Sequence, residues 1–350
     1  VLEKRPGVFS SLFRLCCRIV SAPVFLVTIV RRWLYRTGVL RTHAAPARVI
    51  SVGNITLGGT GKTPLVALLA ERLHAGGNRP VILTRGFGRT SQEMIFLPDD
   101  TAGWEQAGDE PLMISAALPA VPIAVSADRA ASARAAWERF HPQVYLLDDG
   151  MQHLRMRRDL EIVVIDASRP LEEERIFPAG RLREGLSALR RADLFFLTRT
   201  GQSGDTEALS ALLNRYHPGA PQVHSIFRPW TLQELPGGPE RPLETLHGHP
   251  VLAVSGIGNP EALERSLNRL GARLAGRMRF PDHHPYTGRD IDLIEQRARD
   301  LSARAIVTTE KDAVRLGRIE ARSIPFWALK VRIEITSGEE VFWRIVTGGS

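Results

Sequence analysis

The run Gly58-Gly59-Thr60-Gly61-Lys62-Thr63 sets three glycines beside a lysine and a hydroxyl. Glycines let a backbone wrap until several N–H groups converge on an anion, and a helix starting behind them adds its dipole. Lys62 then reaches the β/γ-phosphates and Thr63 offers its hydroxyl to Mg²⁺. Residues 56–63 (Thr56, Leu57, Gly58, Gly59, Thr60, Gly61, Lys62 and Thr63) therefore read as a cradle for ATP. Residues 47–52 read as a buried strand before the loop, and Leu65, Leu68, Leu69 and Leu73 have helical spacing after it.

Thr56 stands where the usual pattern has glycine, so the loop is a variant. It resembles the deviant loops of membrane-associated ATPases that partition chromosomes or place division sites. Those carry a signature lysine just before Gly-Gly, where this chain has Leu57.

A phosphate loop needs a metal carboxylate at the end of a neighbouring strand, and the apolar residues 144–147 lead into Asp148-Asp149-Gly150-Met151-Gln152-His153. Asp148 or Asp149 is expected to hold Mg²⁺, with Gln152 and His153 beside the phosphates. A solvated turn is the plain alternative. In Gly108-Asp109-Glu110-Pro111, two adjacent carboxylates open a helix and can divide metal binding from proton acceptance. Helix capping by Asp109 competes with that reading. Arg85 and Arg89, in Arg-Gly-Phe-Gly-Arg, together with Arg129 and Arg183, are candidate anion contacts.

Three hundred and fifty residues, 43% apolar and 24% charged, suggest two domains with real cores and exclude disorder or a coiled coil as whole-chain descriptions. The net charge of +8 lies in the first 50 residues, where nine basic residues meet one acid; the rest balances at 37 of each. That balance disfavours nucleic acid as a partner. Cys16 and Cys17 are sequence neighbours with neither disulfide nor zinc spacing, which suits a reducing compartment. Only Lys4, Lys62, Lys311 and Lys330 are lysines.

Residues 19–30 are apolar, interrupted by Pro23 and flanked by Arg14, Arg18, Arg31 and Arg32. Twelve residues fall short of the roughly 20 that span a bilayer. An interfacial helix on an anionic membrane surface fits better, with Phe9, Phe13, Trp33 and Tyr35 at headgroup depth. A core helix or a secretory signal are the competing readings. The expected organisation is a membrane-associated segment over 1–40, a phosphate-loop domain over 41–228, and a smaller α/β domain over 229–350 that closes the cleft. Prolines and glycines over 229–242 mark that boundary.

The ordered set of Gly53-Asn54, Gly-Gly-Thr-Gly-Lys-Thr-Pro, Arg85 to Arg89, Gly108 to Pro111, Asp148 to His153, Pro178-Ala179-Gly180 with Leu182-Arg183-Glu184, Gly256 to Pro260, Phe280 to His284 and Thr308 to Asp312 resembles the tetraacyldisaccharide 4'-kinase family. Met151 departs from a commonly aromatic position and Arg181 from a frequent proline. The resemblance implies an α/β fold: a P-loop kinase-type αβα domain, a second smaller α/β domain and an N-terminal membrane-associated helix. It implies transfer of the ATP γ-phosphoryl group to the 4'-hydroxyl of an acylated glucosamine disaccharide 1-phosphate, giving lipid IVA at the cytoplasmic face of the inner membrane. No obligate protein partner follows. Carried over by motif, Asp109 is the base and His283 its partner, raising or orienting its proton affinity or relaying the proton, while Glu110 joins Asp148 and Asp149 on the metal side. Lys311 either meets nucleotide or pairs with Glu310. A membrane-associated ATPase switch is the rival enzyme, and a nucleotide-binding scaffold the rival non-enzyme.

Overall fold

The computed structural model describes residues 8–201, 205–317 and 323–349, with side chains from residue 16 onwards. Lys4 and the side chains of Phe9, Phe13 and Arg14 lie outside it. The chain divides into two compact units: unit 1 comprises 1–85, 126–226 and 335–350, and unit 2 comprises 86–125 and 227–334.

Unit 1 begins with α1 (Val8–Arg36), β1 (Arg48–Gly53), α2 (Lys62–Ala75) and β2 (Pro80–Thr84). The chain then contributes β3 (Ile95–Leu97), α3 (Trp104–Ala107), α4 (Asp109–Ala117) and β4 (Ile123–Val125) to unit 2. It returns with α5 (Arg129–Phe140), β5 (Val144–Asp148), β6 (Leu160–Asp166), β7 (Leu194–Thr198) and α6 (Thr206–Tyr216). Strand β8 (Gln222–Leu235) leads into unit 2, which continues with β9 (Glu240–Arg241), β10 (Pro250–Ser255), α7 (Pro260–Arg269), β11 (Arg273–Arg279), α8 (Gly288–Asp300), β12 (Ala305–Thr309) and α9 (Glu310–Leu316). Strand β13 (Phe326–Ser337) returns to unit 1, which ends with α10 (Glu339–Thr347).

In unit 1 the strand order β8-β7-β6-β1-β5-β2 is parallel throughout. Strands β5 (VYLLD) and β7 (LFFLT) are buried along their whole length, as strands covered on both faces must be. Val52 pairs with Asp148, so the loop after β1 and the carboxylates ending β5 emerge side by side at the carboxyl ends of adjacent strands. Open parallel sheets bind ligands at that edge.

Unit 2 carries the parallel strands β11-β10-β12-β13, whose alternate side chains separate into two cores. Val251, Ala253, Ala305 and Val307 pack with Leu263 and Leu267 of α7, whereas Leu252, Val254 and Ile306 pack with Ile291, Ile294 and Ala298 of α8. The period of two in a strand produces this division, so helices cover both faces.

Two local expectations change. The stretch 229–242, expected to interrupt periodicity at a domain boundary, lies largely in strand, because β8 runs from 222 to 235 and pairs back with β9 through Leu232 and Arg241. Proline is tolerated in a strand wherever no neighbour calls for its missing amide. Helix α1 also passes through Pro23, whose exposed ring costs one internal hydrogen bond of a 29-residue helix. Among the described residues, no helix is long and apolar enough to cross a membrane.

Candidate functional site

Helix α2 starts at Lys62 behind Gly61, whose φ of 96° requires glycine. Gly53 is required by a close approach: a Cβ there would meet the Met151 Cβ and, at 2.6 Å, its amide nitrogen. Met151 is thus a fully buried packing partner of the loop's entry. The loop is braced from three sides. Asn54 donates to Thr60 Oγ1 at 3.0 Å, the Thr198 hydroxyl donates to the Thr60 carbonyl at 2.7 Å, and Arg199 donates to the Gly59 carbonyl at 3.1 Å. The Leu57 amide, expected in the anion cradle, donates instead to the Arg181 carbonyl at 2.6 Å, and Thr56 bridges Leu182.

The loop 176–185 that supplies Arg181 is held on its other side by α1. Ser21 Oγ donates to the Ile176 carbonyl at 2.9 Å and accepts from the Ala179 amide at 3.2 Å, and Phe25 lies against Gly185. Arg181 is ion-paired with Glu174, to which its backbone amide also donates, a bond proline could not make.

Asp149, at a left-handed φ of 50°, receives Lys62 at 3.4 Å and Arg183 at 2.7 Å. Burial pushes its carboxyl up, but these two cations outweigh burial and hold it below the usual carboxylate range. Asp148 Oδ2 accepts from Thr84 at 3.1 Å. Gln152 bridges the loop and its support, donating to the Asn54 carbonyl at 2.9 Å and to Glu184 at 3.0 Å. Arg129 is buried and feels the charges of both aspartates. Arg89 departs from its expected role: its guanidinium donates to the carbonyls of Glu93 and Val125, making it a brace of the 86–125 insertion.

Burial, then the charges of Arg129 and Arg158, lower the His153 imidazole from 6.5 to about 4. The unfolded chain binds the extra proton between those values, so stability falls as pH drops through that window. The depressed carboxylates of Asp109 and Asp149 lose their contribution lower, as pH falls below their unfolded values near 4. Denaturant unfolding should show declining stability from pH 7 to pH 5, and a shallower decline for His153→Asn. Identical slopes for the two proteins would remove His153 as the cause.

Unit 2 holds the other chemistry. Asp109 is the first residue of α4 and its side chain is 3% exposed, against 32% for His283. His283 Nδ1 lies 3.1 Å from Asp109 Oδ2, and His283 Nε2 lies 3.3 Å from the Lys311 ammonium. An ammonium only donates, so Nε2 accepts and the ring proton sits on Nδ1, pointing at Asp109. Lys311 also donates to Glu110 at 3.1 Å, which answers its alternatives: its carboxylate partner is Glu110, while Glu310 accepts from the Val331 amide. Glu110 thus belongs to unit 2, apart in the chain's organisation from the unit that carries Thr63, Asp148 and Asp149. His284 is committed to Asp290 at 3.2 Å and stacked on Phe280, which leaves His283 as the chemical member of the pair.

Burial raises the Asp109 carboxyl, but the hydrogen bond from His283 and the charges of Lys311 and Arg315 outweigh it, and the net direction is downward. The expected raising of its proton affinity is reversed. Orientation remains as the role for His283, since the nitrogen that faces Asp109 already carries the ring proton. The pair also falls within one unit, because residues 86–125 belong with 227–334, and no lobe closure is needed to assemble it.

A parallel α/β unit with a braced Gly-Lys-Thr loop and paired aspartates at its strand ends defines a phosphate-loop nucleotide enzyme. The sequence profile of tetraacyldisaccharide-1-P 4'-kinase matches residues 13–348, and the chain belongs to that family. A tetraacyldisaccharide 4'-kinase of Syntrophus aciditrophicus is 36% identical over 338 residues, covering 92% of this chain and 90% of the relative. One from Anaeromyxobacter sp. (strain Fw109-5) is 39% identical over 314 residues, covering 88% and 84%. The crystal structure of an LpxK from Aquifex aeolicus in complex with ATP is similar at a TM-score of 0.75 and 29% identity, covering 95% of this chain and 99% of that one. The protein is a kinase of lipid A biosynthesis, and the ATPase-switch reading falls away.

Proposed function

We propose that residues 58–63 of this chain bind ATP and that Asp109 accepts the proton of the acceptor's 4'-hydroxyl. The observation that carries this reading is the Asp109–His283 contact at 3.1 Å, in which a buried ionised carboxylate faces a half-buried, correctly protonated imidazole. Phosphoryl transfer passes through a loose transition state, so the proton leaves late and a low-pKa carboxylate suffices when it is well aligned. With its ring proton on Nδ1 and facing Asp109, His283 orients the carboxylate that takes the proton.

Thr63 and Asp148 present hard oxygen donors of the kind Mg²⁺ takes alongside substrate phosphates. Bound there, the ion would neutralise charge on the nucleotide. Asp149, already shared by Lys62 and Arg183, organises those two cations. Arg129, His153 and Arg85 are the remaining anion contacts that this reading keeps in unit 1.

The acceptor is an acylated glucosamine disaccharide 1-phosphate. Withdrawing its chains from a bilayer costs about 0.8 kcal/mol per CH₂, so the enzyme must come to the membrane. Helix α1 exposes Ile19, Val20, Leu26, Val27, Val30 and Trp33 with Arg18, Arg31, Arg32 and Arg36 among them, the composition of an interfacial helix. These features support α1 lying on the anionic cytoplasmic face of the inner membrane.

The deciding experiment supplies labelled ATP and the acylated disaccharide 1-phosphate in anionic vesicles. Label should enter the lipid at the 4' position and the protein should sediment with the vesicles. ATP hydrolysis with no labelled lipid would sink the acceptor reading, and protein left in the supernatant would sink the membrane reading.

A further inference from the structure

We propose that Arg315 is the positioning residue of the transfer reaction, holding the turn that carries His283 in the one arrangement that meets Asp109. The inference rests on the reading of Asp109 as the base.

Helix α9 places Lys311 and Arg315 four residues apart, hence on one face. Lys311 meets the exposed end of His283, and Arg315 works beneath it, with its side chain 1% exposed. The Arg315 guanidinium divides its donors among four acceptors. Nη2 donates to the Gly256 carbonyl at 3.0 Å and to Asp312 Oδ1 at 2.9 Å, Nη1 donates to the His284 carbonyl at 3.4 Å, and Nε donates to the Lys311 carbonyl at 3.3 Å while lying 3.4 Å from Asp109 Oδ2, with which it is ion-paired.

The Gly256 and His284 carbonyls among them are fixed points of the His283 turn. The Gly256 carbonyl also accepts the His283 amide, at 3.1 Å. His283 sits at a φ of 61°, a left-handed conformation that a non-glycine residue keeps only when its surroundings impose it. Arg315 grips the backbone on both sides of that residue, at 256 across the turn and at 284 after it, while also facing the carboxylate that His283 must reach. Asp312 completes the clamp by accepting from the Gly256 amide at 3.0 Å and the Tyr286 hydroxyl at 3.1 Å. A Cβ at Gly256 would stand 3.0 Å from the Tyr286 hydroxyl and 3.1 Å from the Pro281 carbonyl, so a side chain there would crowd the same turn. A lysine has no planar fork with which to span two carbonyls and a carboxylate.

The test uses the full-length enzyme with Arg315→Met and Arg315→Lys, the second keeping a positive charge beside Asp312 and so preserving the fold if the first does not. Misalignment of a reacting pair costs about 10²-fold. Turnover of Arg315→Lys should fall by about that factor with KM for ATP unchanged, and the His283 amide should exchange hydrogen faster than in wild type. In an Asp109→Asn background the same change should cost nothing further, because its effect runs through Asp109. A folded Arg315→Lys enzyme with wild-type turnover overturns the proposal, as does a loss that multiplies fully in the Asp109→Asn background. Full activity of Asp109→Asn alone would instead overturn the base assignment beneath it.

Discussion

Asp109→Asn should lower turnover of the acylated acceptor by about 10³-fold, the usual worth of a positioned general base, while KM for ATP stays at its wild-type value. The amide keeps the shape of the carboxylate but cannot take a proton, and its NH₂ end would meet donors in either orientation, His283 and Arg315 at the Oδ2 position or the Glu110 amide at the Oδ1 position. The two parameters separate because the nucleotide loop belongs to unit 1 and Asp109 to unit 2. Single-turnover phosphorylation of the lipid, with ATP binding measured independently, checks this. An Asp109→Asn enzyme that labels its acceptor at the wild-type rate would exclude proton acceptance by this residue.

Lys62→Ala should show the opposite signature, with KM for ATP raised and kcat/KM reduced by about 10²–10³-fold, the loss typical of removing one preorganised charge from a forming anion. Its side chain is 11% exposed and sits at the first position of α2, held 3.4 Å from Asp149, so the ammonium is already aimed over the cradle before nucleotide arrives. Truncation leaves Arg183 as the remaining cation described on Asp149 and weakens the grip on the phosphates. Equilibrium binding of ATP to the variant measures the effect directly. Unaltered affinity together with unaltered turnover would take Lys62 out of the phosphate site.

Much of unit 1 was legible because its signals are contiguous. An apolar strand, a glycine run, Lys-Thr and a leucine-periodic helix occupy residues 48–75 without interruption, and β5 leads directly into its aspartates. Two local contacts there were not legible, for physical reasons. Thr56 and Leu57 look like loop in the sequence, yet they pair with residues 181 and 182, more than a hundred positions away. Arg89 has the composition of an anion clamp, yet its guanidinium also meets the carbonyls of Glu93 and Val125 in its own insertion.

Unit 2 was harder to read. Its most important arginine was missed, although the spacing of Lys311 and Arg315 after Thr-Thr-Glu places two cations on one helical face and could have flagged it. The prolines of 229–242 suggested an interruption of periodicity because turn residues are local signals, whereas strand pairing between β8 and β9 is not.

Residue order alone determined the chemical inventory: an anion-wrapping loop, hard oxygen donors at strand ends, a carboxylate and an imidazole suited to moving one proton, and a basic apolar helix. These follow from side-chain types and periods within a few neighbouring residues. Tertiary structure alone decided the company they keep. It sent residues 86–125 into unit 2, joined Asp109 to His283 across 174 positions, and set Lys311 and Arg315 against them. Contacts over such separations arise from tertiary packing, and no window of sequence records which elements that packing brings together.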